Sequence, residues 1–444
     1  MQVEAWLQRA ALAAPTVTAL QTPDAQLSYA ELARAARAGA CELAERGARP
    51  GERVAIALAP GVEFAQALHA CLLLGAVAVP VDLRLTPSER EQLVVGASVL
   101  VEQPMAEQSS SGADSETFAS GATHDLDAFA NGVTHDLDAV CAVIYTSGTT
   151  STPRPVELTY GNFLWSALGS AVALGVDPRE RWLCALPVSH VGGLSILLRS
   201  AIYATTAYIH ERFHTESVLA ALREDRITLV SLVSTTLARL LYAGLRDPPQ
   251  LRCALTGGGP VPDALVQRAR EAGVPVLATY GLTEACSQVT TGGPPLFCTR
   301  VSIGEEGEIA VAGPTVAPAS RGLDDQLHTG DLGWIDEHGF LHVSGRKADT
   351  IVSGGENVAP SEVEAVLEAC PGVLEAAVVG REDPQWGEVV TAVVVVAPDA
   401  TVGESLLREH CSSRLASFKV PKRVELVSAP LPRTRSGKLL RREL

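Results

Sequence analysis

The stretch Val54–Val81, VAIALAPGVEFAQALHACLLLGAVAVPV, decides the fold. Val54–Leu58 reads as a buried strand, Glu63–Leu74 as a helix and Ala76–Val81 as a second buried strand. A strand, a helix and a strand at this spacing predict a right-handed parallel crossover, and hence an α/β layer. Upstream, Tyr29–Arg46 is Ala-rich with Leu32 and Leu43 in phase, a helix ended by Gly47 and Pro50-Gly51.

Downstream, Gln103–Asn131 is polar and rich in Ser, Ala and Gly, a surface connection. It runs into a tandem duplication, Gly121-Ala-Thr-His-Asp-Leu-Asp-Ala and then Gly132-Val-Thr-His-Asp-Leu-Asp-Ala. His124, Asp125, Asp127 and their copies His135, Asp136, Asp138 have metal-ligand chemistry; a duplicated solvated loop is the simpler reading. From 139 the alternation resumes, with strands at Ala139–Ile144, Arg252–Leu255 and Pro275–Thr279 and a helix at Pro262–Ala272. Residues 300–345 are β-rich, with a hairpin signal around the turn Glu337–Gly339. After Arg346 come a helix (Ser361–Ala369), strands (Val373–Val379 and Val389–Ala397), a helix (Glu404–Ser413) and a strand (Arg423–Val427). The expected architecture is α/β: a large N-terminal domain of layered sheets and helices with a β-rich subdomain, residues 1–346, and a small α+β C-terminal domain, residues 347–444.

Composition narrows the function. The 444 residues are 47% hydrophobic and 19% charged, an ordinary globular balance with room for about three domains or lobes. A net charge of −16 disfavours nucleic acid and anionic membrane surfaces, both of which call for a basic face. No signal peptide is visible at Met1, and no apolar run approaches the ~18 residues of a membrane span. Nine scattered cysteines without a C-x-x-C pair read as reduced core thiols of a cytoplasmic protein.

Five local features carry chemistry. The first follows the strand at Ala139–Ile144: Thr146, Ser147, Gly148, Thr149, Thr150, Ser151 and Thr152, then Pro153 and Arg154. Small hydroxyls, exposed backbone N–H groups and a guanidinium suit phosphate oxygens, although no Walker loop is present. The second is a pair of loops beyond consecutive strands, Gly257-Gly258-Gly259 and Tyr280-Gly-Leu-Thr283-Glu284. Ligands of open parallel sheets sit there; glycines let backbone approach a flat ligand, Tyr280 can stack on a base and Glu284 can hold Mg²⁺. The third is His328-Thr-Gly-Asp331, whose carboxylate suits two ribose hydroxyls. The fourth is Gly345-Arg346-Lys347-Ala348-Asp349 with Gly354-Gly355, followed by Ser361 and Glu364 at capping-box spacing. The fifth is the tail Pro432-Arg-Thr-Arg-Ser-Gly-Lys438, a lysine on a Gly-containing loop. Each has an ordinary turn, loop or tail reading when taken alone.

In this order, the five resemble the adenylate-forming superfamily of acyl-CoA synthetases, adenylation domains and luciferases over essentially the whole chain. Within it the nearer likeness is to the o-succinylbenzoate–CoA ligases of menaquinone biosynthesis, carried by Leu186–Tyr203, Ser231–Leu237 and Thr279–Val289. The resemblance implies an AMP-forming acid–thiol ligase that uses ATP, Mg²⁺ and coenzyme A on a small carboxylic acid. It implies that 146–154 grips the β- and γ-phosphates, Gly257–Gly259 and Tyr280 frame adenine, Thr283 touches the α-phosphate and Glu284 holds Mg²⁺. Asp331 and Arg346 would fix the ribose. Lys438, on a mobile C-terminal domain hinged at Ala348, would bridge acid and α-phosphate. Gly354-Gly355 would line the pantetheine channel, and His190 would gate the acid pocket. Arg199 matches a basic position in those ligases and is the candidate donor for a second carboxylate, with Ser231, Ser234 and Ser287 beside it; a surface helix charge is the plain alternative for Arg199. Relatives are often dimers, which admits a homodimer. The chain departs from the family at Ser151, Arg154 and Pro155, where Gly, Lys and Gly are usual, and at Ala348, where many relatives are polar. A ligase for another aryl or medium-chain acid, and a degenerate nucleotide-binding relative, stay open.

Overall fold

A computed structural model describes residues 1–105, 132–146, 153–397, 400–433 and 439–444. The crossover at 54–81 is present: Arg53–Ile56 and Val77–Pro80 pair in parallel on either side of the helix Val62–Leu74. They belong to a five-stranded sheet ordered Ala97–Val101, Arg53–Ile56, Val77–Pro80, Val140–Thr146, Arg154–Thr159, whose last pair is antiparallel.

A second sheet has eight strands: Ser287–Thr291, Val276–Leu282, Cys253–Thr256, Leu229–Leu232, Arg181–Cys184, Thr206–Ile209, Thr18–Gln21 and Gln26–Ser28. Its middle is parallel, and each end is closed by an antiparallel strand. Side-chain alternation explains the layering. Cys253 and Leu255 face a core shared with Ile56, Ala78 and Ile144 of the first sheet, whereas Ala254 faces a separate core with Val230 and Leu232. The shared core holds the helices Tyr29–Glu45, Val62–Leu74, Tyr160–Leu174 and Val191–Tyr203. The helix Val62–Leu74 is covered from both sides: every residue from Phe64 to Leu74 is buried, Gln66 and His69 included.

The β-rich region is a four-stranded antiparallel sheet, Arg300–Ile303, Glu308–Ala312, Leu327–Ile335 and Leu341–Arg346. Beyond it, Ile351–Ser353, Glu356–Val358, Val373–Asp383, Gly387–Val396 and Arg423–Val427 form a further sheet over the helices Pro360–Glu368 and Glu404–Ser412, with a core of its own. No described helix is long and apolar enough to cross a membrane. All nine cysteines are free, and seven are buried.

Two local expectations fail. Ser361 and Glu364 do not form a capping box. The helix begins with Pro360 behind the cap residue Ala359, so Ser361 already lies inside it and donates its hydroxyl to the Ser344 carbonyl. Glu364 instead accepts the Val378 amide at 2.7 Å. The second copy of the tandem repeat is not a solvated loop, and its histidine is not arranged as a metal ligand. Thr134–Asp136 is a strand paired with Gln2–Glu4, and His135 is buried, stacked on Tyr160 at 4.2 Å, with Nε2 accepting the Trp6 amide at 3.3 Å. Burial holds that imidazole down to about 3, so it stays neutral. Asp136 and Asp138 meet the Met1 amine. The first copy lies outside the described residues.

Candidate active site

Adjacent parallel strands, Cys253–Thr256 and Val276–Leu282, deliver Gly257–Gly259 and Tyr280–Glu284 to one end of the eight-stranded sheet. Gly257 is required there: a Cβ would stand 2.5 Å from the Thr279 carbonyl oxygen. Tyr280 then reaches the β-rich sheet, donating its hydroxyl to Asp331 Oδ2 at 2.7 Å. Asp331 Oδ1 takes Arg346 Nε at 2.8 Å, a pairing set by antiparallel register, since the two residues are cross-strand partners. Asp331 is buried, and its amide is turned by Thr329 Oγ1 at 3.1 Å. Gly330, in the left-handed region at φ 69°, gives its amide to Glu308 Oε1 at 3.0 Å. Burial, reinforced by the Asp331 charge, pushes the Tyr280 phenol well above its ordinary range and keeps it a donor.

The chain leaves Tyr280 through a tight bend. Gly281 has no room for a side chain, because a Cβ would lie 1.7 Å from the Ser287 carbonyl oxygen. Thr283–Ala285 is a single 3₁₀ turn, followed by Cys286 and Ser287 in the left-handed region at φ 51° and 89°. Glu284 is half-buried and has no ion-pair partner among the described residues, while its carbonyl accepts the Ala317 amide at 2.8 Å. The strand Arg154–Thr159 packs against this turn. Thr146 and the exposed Arg154 are register partners at the mouth of the hairpin, with Thr146 Oγ1 3.4 Å from the Arg154 carbonyl oxygen. Ser147, Gly148, Thr149 and Thr150 lie outside the described residues. A lone carboxylate beside a hydroxyl suits Mg²⁺, which is a hard ion carried by one or two carboxylates and otherwise by phosphate and water.

Across the sheet, the helix Val191–Tyr203 carries two candidates. His190 is its half-buried N-terminal cap residue, on a turn where Gly193 lets the Pro187 carbonyl come within 2.3 Å of a would-be Cβ. Arg199, nine residues on, is not a surface charge: it is 2% exposed. Its Nη2 donates to Ser166 Oγ at 2.9 Å, and Ser166 donates to the Cys286 carbonyl at 2.6 Å. Its guanidinium lies 5.6 Å over the Trp182 ring, whose Nε1 donates to Ser231 Oγ at 3.0 Å. No carboxylate pairs with Arg199 among the described residues, and its Nε has no hydrogen-bond partner there. Burial draws its pKa below the ordinary value. Ser231 and, through Ser166, the Cys286–Ser287 bend thus join Arg199. Ser234 does not: its hydroxyl is given to the Pro260 carbonyl at 2.6 Å.

Gly354 and Gly355, at φ 62° and 86°, form the two-residue turn between Ile351–Ser353 and Glu356–Val358. The surface that Gly354 admits is within its own domain: a Cβ would lie 2.7 Å from the Trp386 ring, over which Lys422 Nζ sits at 3.2 Å. Lys438 lies outside the described residues. Sequence reading missed Ser166, Trp182, Glu308 and Trp386. None sits in a motif, and each reaches its partner only through the tertiary fold.

The description "AMP-binding enzyme" fits residues 7–319, and "AMP-binding enzyme C-terminal domain" fits 362–438. The chain belongs to the AMP-binding enzyme family. Within that family it is 38% identical to the 2-succinylbenzoate–CoA ligase of Bacillus licheniformis over 99% of this chain and 98% of that protein. The o-succinylbenzoate CoA synthetase of Bacillus subtilis in complex with the acyl-adenylate intermediate OSB-AMP superposes with a TM-score of 0.86 at 36% identity, covering 100% of this chain and 98% of that one. Its complex with ATP and magnesium ion gives the same TM-score and identity over 100% of both chains.

Proposed function

We propose that this AMP-binding enzyme is a 2-succinylbenzoate–CoA ligase that uses ATP, Mg²⁺ and coenzyme A. In the first step a substrate carboxylate oxygen bonds to the α-phosphorus as the bond to pyrophosphate breaks. In the second the coenzyme A sulfur bonds to the acyl carbon, AMP leaves and the thiol proton passes to solvent.

The site residues divide this work. Asp331 and Arg346 hold the ribose, Tyr280 and Gly257–Gly259 flank adenine, and Thr283 meets the α-phosphate. Glu284 holds Mg²⁺, which neutralises phosphate charge when bound. Thr146–Thr150 and Arg154 receive the departing pyrophosphate, and Lys438 offsets the repulsion between carboxylate and phosphate. His190 gates the acid side, and Gly354-Gly355 borders the thiol path. Residues 1–346 bind ATP and acid, and 347–444 form the domain that brings in Lys438. The free thiols support a cytoplasmic location.

One observation carries the substrate choice: the Arg199 guanidinium is buried with no carboxylate partner among the described residues. An unpaired buried cation costs several kcal/mol. A ligand that brings its own carboxylate removes that cost, and 2-succinylbenzoate retains one carboxylate while the other is activated. Pyrophosphate release with ATP, Mg²⁺ and a panel of acids tests this. Strong preference for 2-succinylbenzoate is expected. Faster turnover of an aryl or medium-chain monoacid would overturn the substrate assignment, and no release with any acid would overturn the activity.

A further inference from the structure

Three acidic side chains hold the two arginines that bracket Lys438 in sequence. On one side Arg433 gives Nε and Nη2 to Glu375 Oε2 at 3.1 and 2.8 Å. On the other Arg441 meets Glu364 through both terminal nitrogens, Nη2–Oε2 at 3.0 Å, and reaches Asp349 Oδ2 from Nε at 3.4 Å. The Arg441–Glu364 pair is the most sheltered of these: the Arg441 side chain is 22% exposed and that of Glu364 is 11%, against 39% for Asp349. Arg433 and Leu439 also form an antiparallel bridge, and Leu431 and Leu439 pack in an apolar cluster with Ala377, Val393 and Val395.

The partners come from different elements. Glu375 lies on the strand Val373–Asp383, and Glu364 on the helix Pro360–Glu368 packed against it. Asp349 ends the 3₁₀ turn Lys347–Asp349, next to Ala348. Sheltered forked guanidinium pairs add direction, because a bidentate guanidinium fixes orientation as well as distance.

We propose that Arg441, held by Glu364 and Asp349, is a positioning residue for the adenylation half-reaction, with Arg433–Glu375 as its weaker counterpart. It touches no substrate and acts by fixing where the main chain around Lys438 begins and ends. This rests on the assignment of Lys438 above. A cation that stabilises a transition state must be placed within about an ångström, and misplacement of that order lowers rate ~10²-fold.

The test measures the two half-reactions separately in the full-length enzyme: pyrophosphate release with 2-succinylbenzoate, and thioester formation from preformed acyl-adenylate and coenzyme A. Arg441→Ala should lower kcat for adenylation 10- to 100-fold with KM for ATP within about threefold, and leave thioester formation within about twofold. Arg441→Lys should recover part of the loss, and Asp349→Asn should reproduce a fraction of it. Arg441→Ala added to Lys438→Ala should bring no further loss. Equal falls in both half-reactions, or further loss in the double variant, would overturn positioning in favour of mere tail docking. If Lys438→Ala alone keeps full adenylation, the assignment of Lys438 is wrong and the positioning role falls with it, an outcome distinct from failure of Arg441 alone.

Discussion

The Tyr280 side and the Arg199 side of the candidate site are built differently. Around Asp331 each polar group has a protein partner: Tyr280 and Arg346 each take one oxygen of the carboxylate. Around Arg199 a buried guanidinium has one hydroxyl and a ring face, and no carboxylate among the described residues. A self-satisfied trio stabilises the fold whether or not a ligand is present, and under the proposed function it stands ready-formed for the nucleotide. Under the proposed function, the unsatisfied Arg199 charge gains its counter-charge only from the ligand, so its energy goes into choosing that ligand. The first arrangement favours affinity and the second favours selectivity.

The two sides share one bend, and breaking it should have the largest effect. Gly281→Ala places a methyl group on the Ser287 carbonyl, which neither strand can vacate without shifting Tyr280 one way and Cys286–Ser287 the other. We expect a loss of stability of about 3 kcal/mol. Adenylation should fall more than ~10³-fold, with ATP and acid KM both raised. Thermal unfolding and steady-state kinetics check this; a defect confined to one substrate would show that the sides are mechanically independent.

Next in size, Arg199→Met should separate selectivity from stability. Loss of a buried charge from its ligand costs roughly 2–5 kcal/mol. The value of kcat/KM for 2-succinylbenzoate should therefore drop ~10²- to 10³-fold while KM for ATP stays within about twofold. The free variant should melt no lower than the parent, because an uncompensated charge has been removed. It should also lose the thermal shift that 2-succinylbenzoate gives the parent. A variant that melts several degrees lower would mean that Arg199 is a structural cation.

Asp331→Asn tests the opposite prediction on the satisfied side. Arg346 and the buried Tyr280 hydroxyl lose a charged acceptor, so both the fold and the nucleotide should suffer. We expect about 1–3 kcal/mol less stability and a 10- to 100-fold higher KM for ATP, with selectivity among acids unchanged. Differential scanning of the free enzyme separates the two contributions.

The same contrast explains what the sequence disclosed. Gly257–Gly259 and Tyr280–Glu284 are contiguous because each is chain leaving one strand end, and Thr329–Asp331 because it is one short run of the strand Leu327–Ile335; local spacing expresses such features. The parallel crossover was legible because two short apolar strands, Val54–Leu58 and Ala76–Val81, flank a helix at close spacing. Arg199 was legible as a candidate, but its burial was not: Leu197-Leu198-Arg199-Ser200 looks the same on a surface helix. Its environment comes from Ser166, Trp182 and Cys286, residues 33, 17 and 87 positions away. Ser361 and Glu364 failed for the converse reason. Their spacing is that of a capping box, but Pro360 and the Ser344 carbonyl, a long-range partner, moved the helix start by two residues.

The smallest expected effect sharpens the comparison most. Tyr280→Phe removes one hydroxyl from the Asp331 trio and leaves the ring and the Arg346 pair. A hydrogen bond to a charged group is worth roughly 1.5–3 kcal/mol, and Arg346 with incoming water should recover part of it, so KM for ATP should rise ~5- to 10-fold. If the trio acts as a unit, the Tyr280→Phe and Asp331→Asn effects are not additive, and the double variant should be little worse than Asp331→Asn alone. If they add, the Tyr280 hydroxyl contributes independently of the Asp331 carboxylate. The Asp331 side would then be two separate contacts, and the contrast with Arg199 would rest on burial alone.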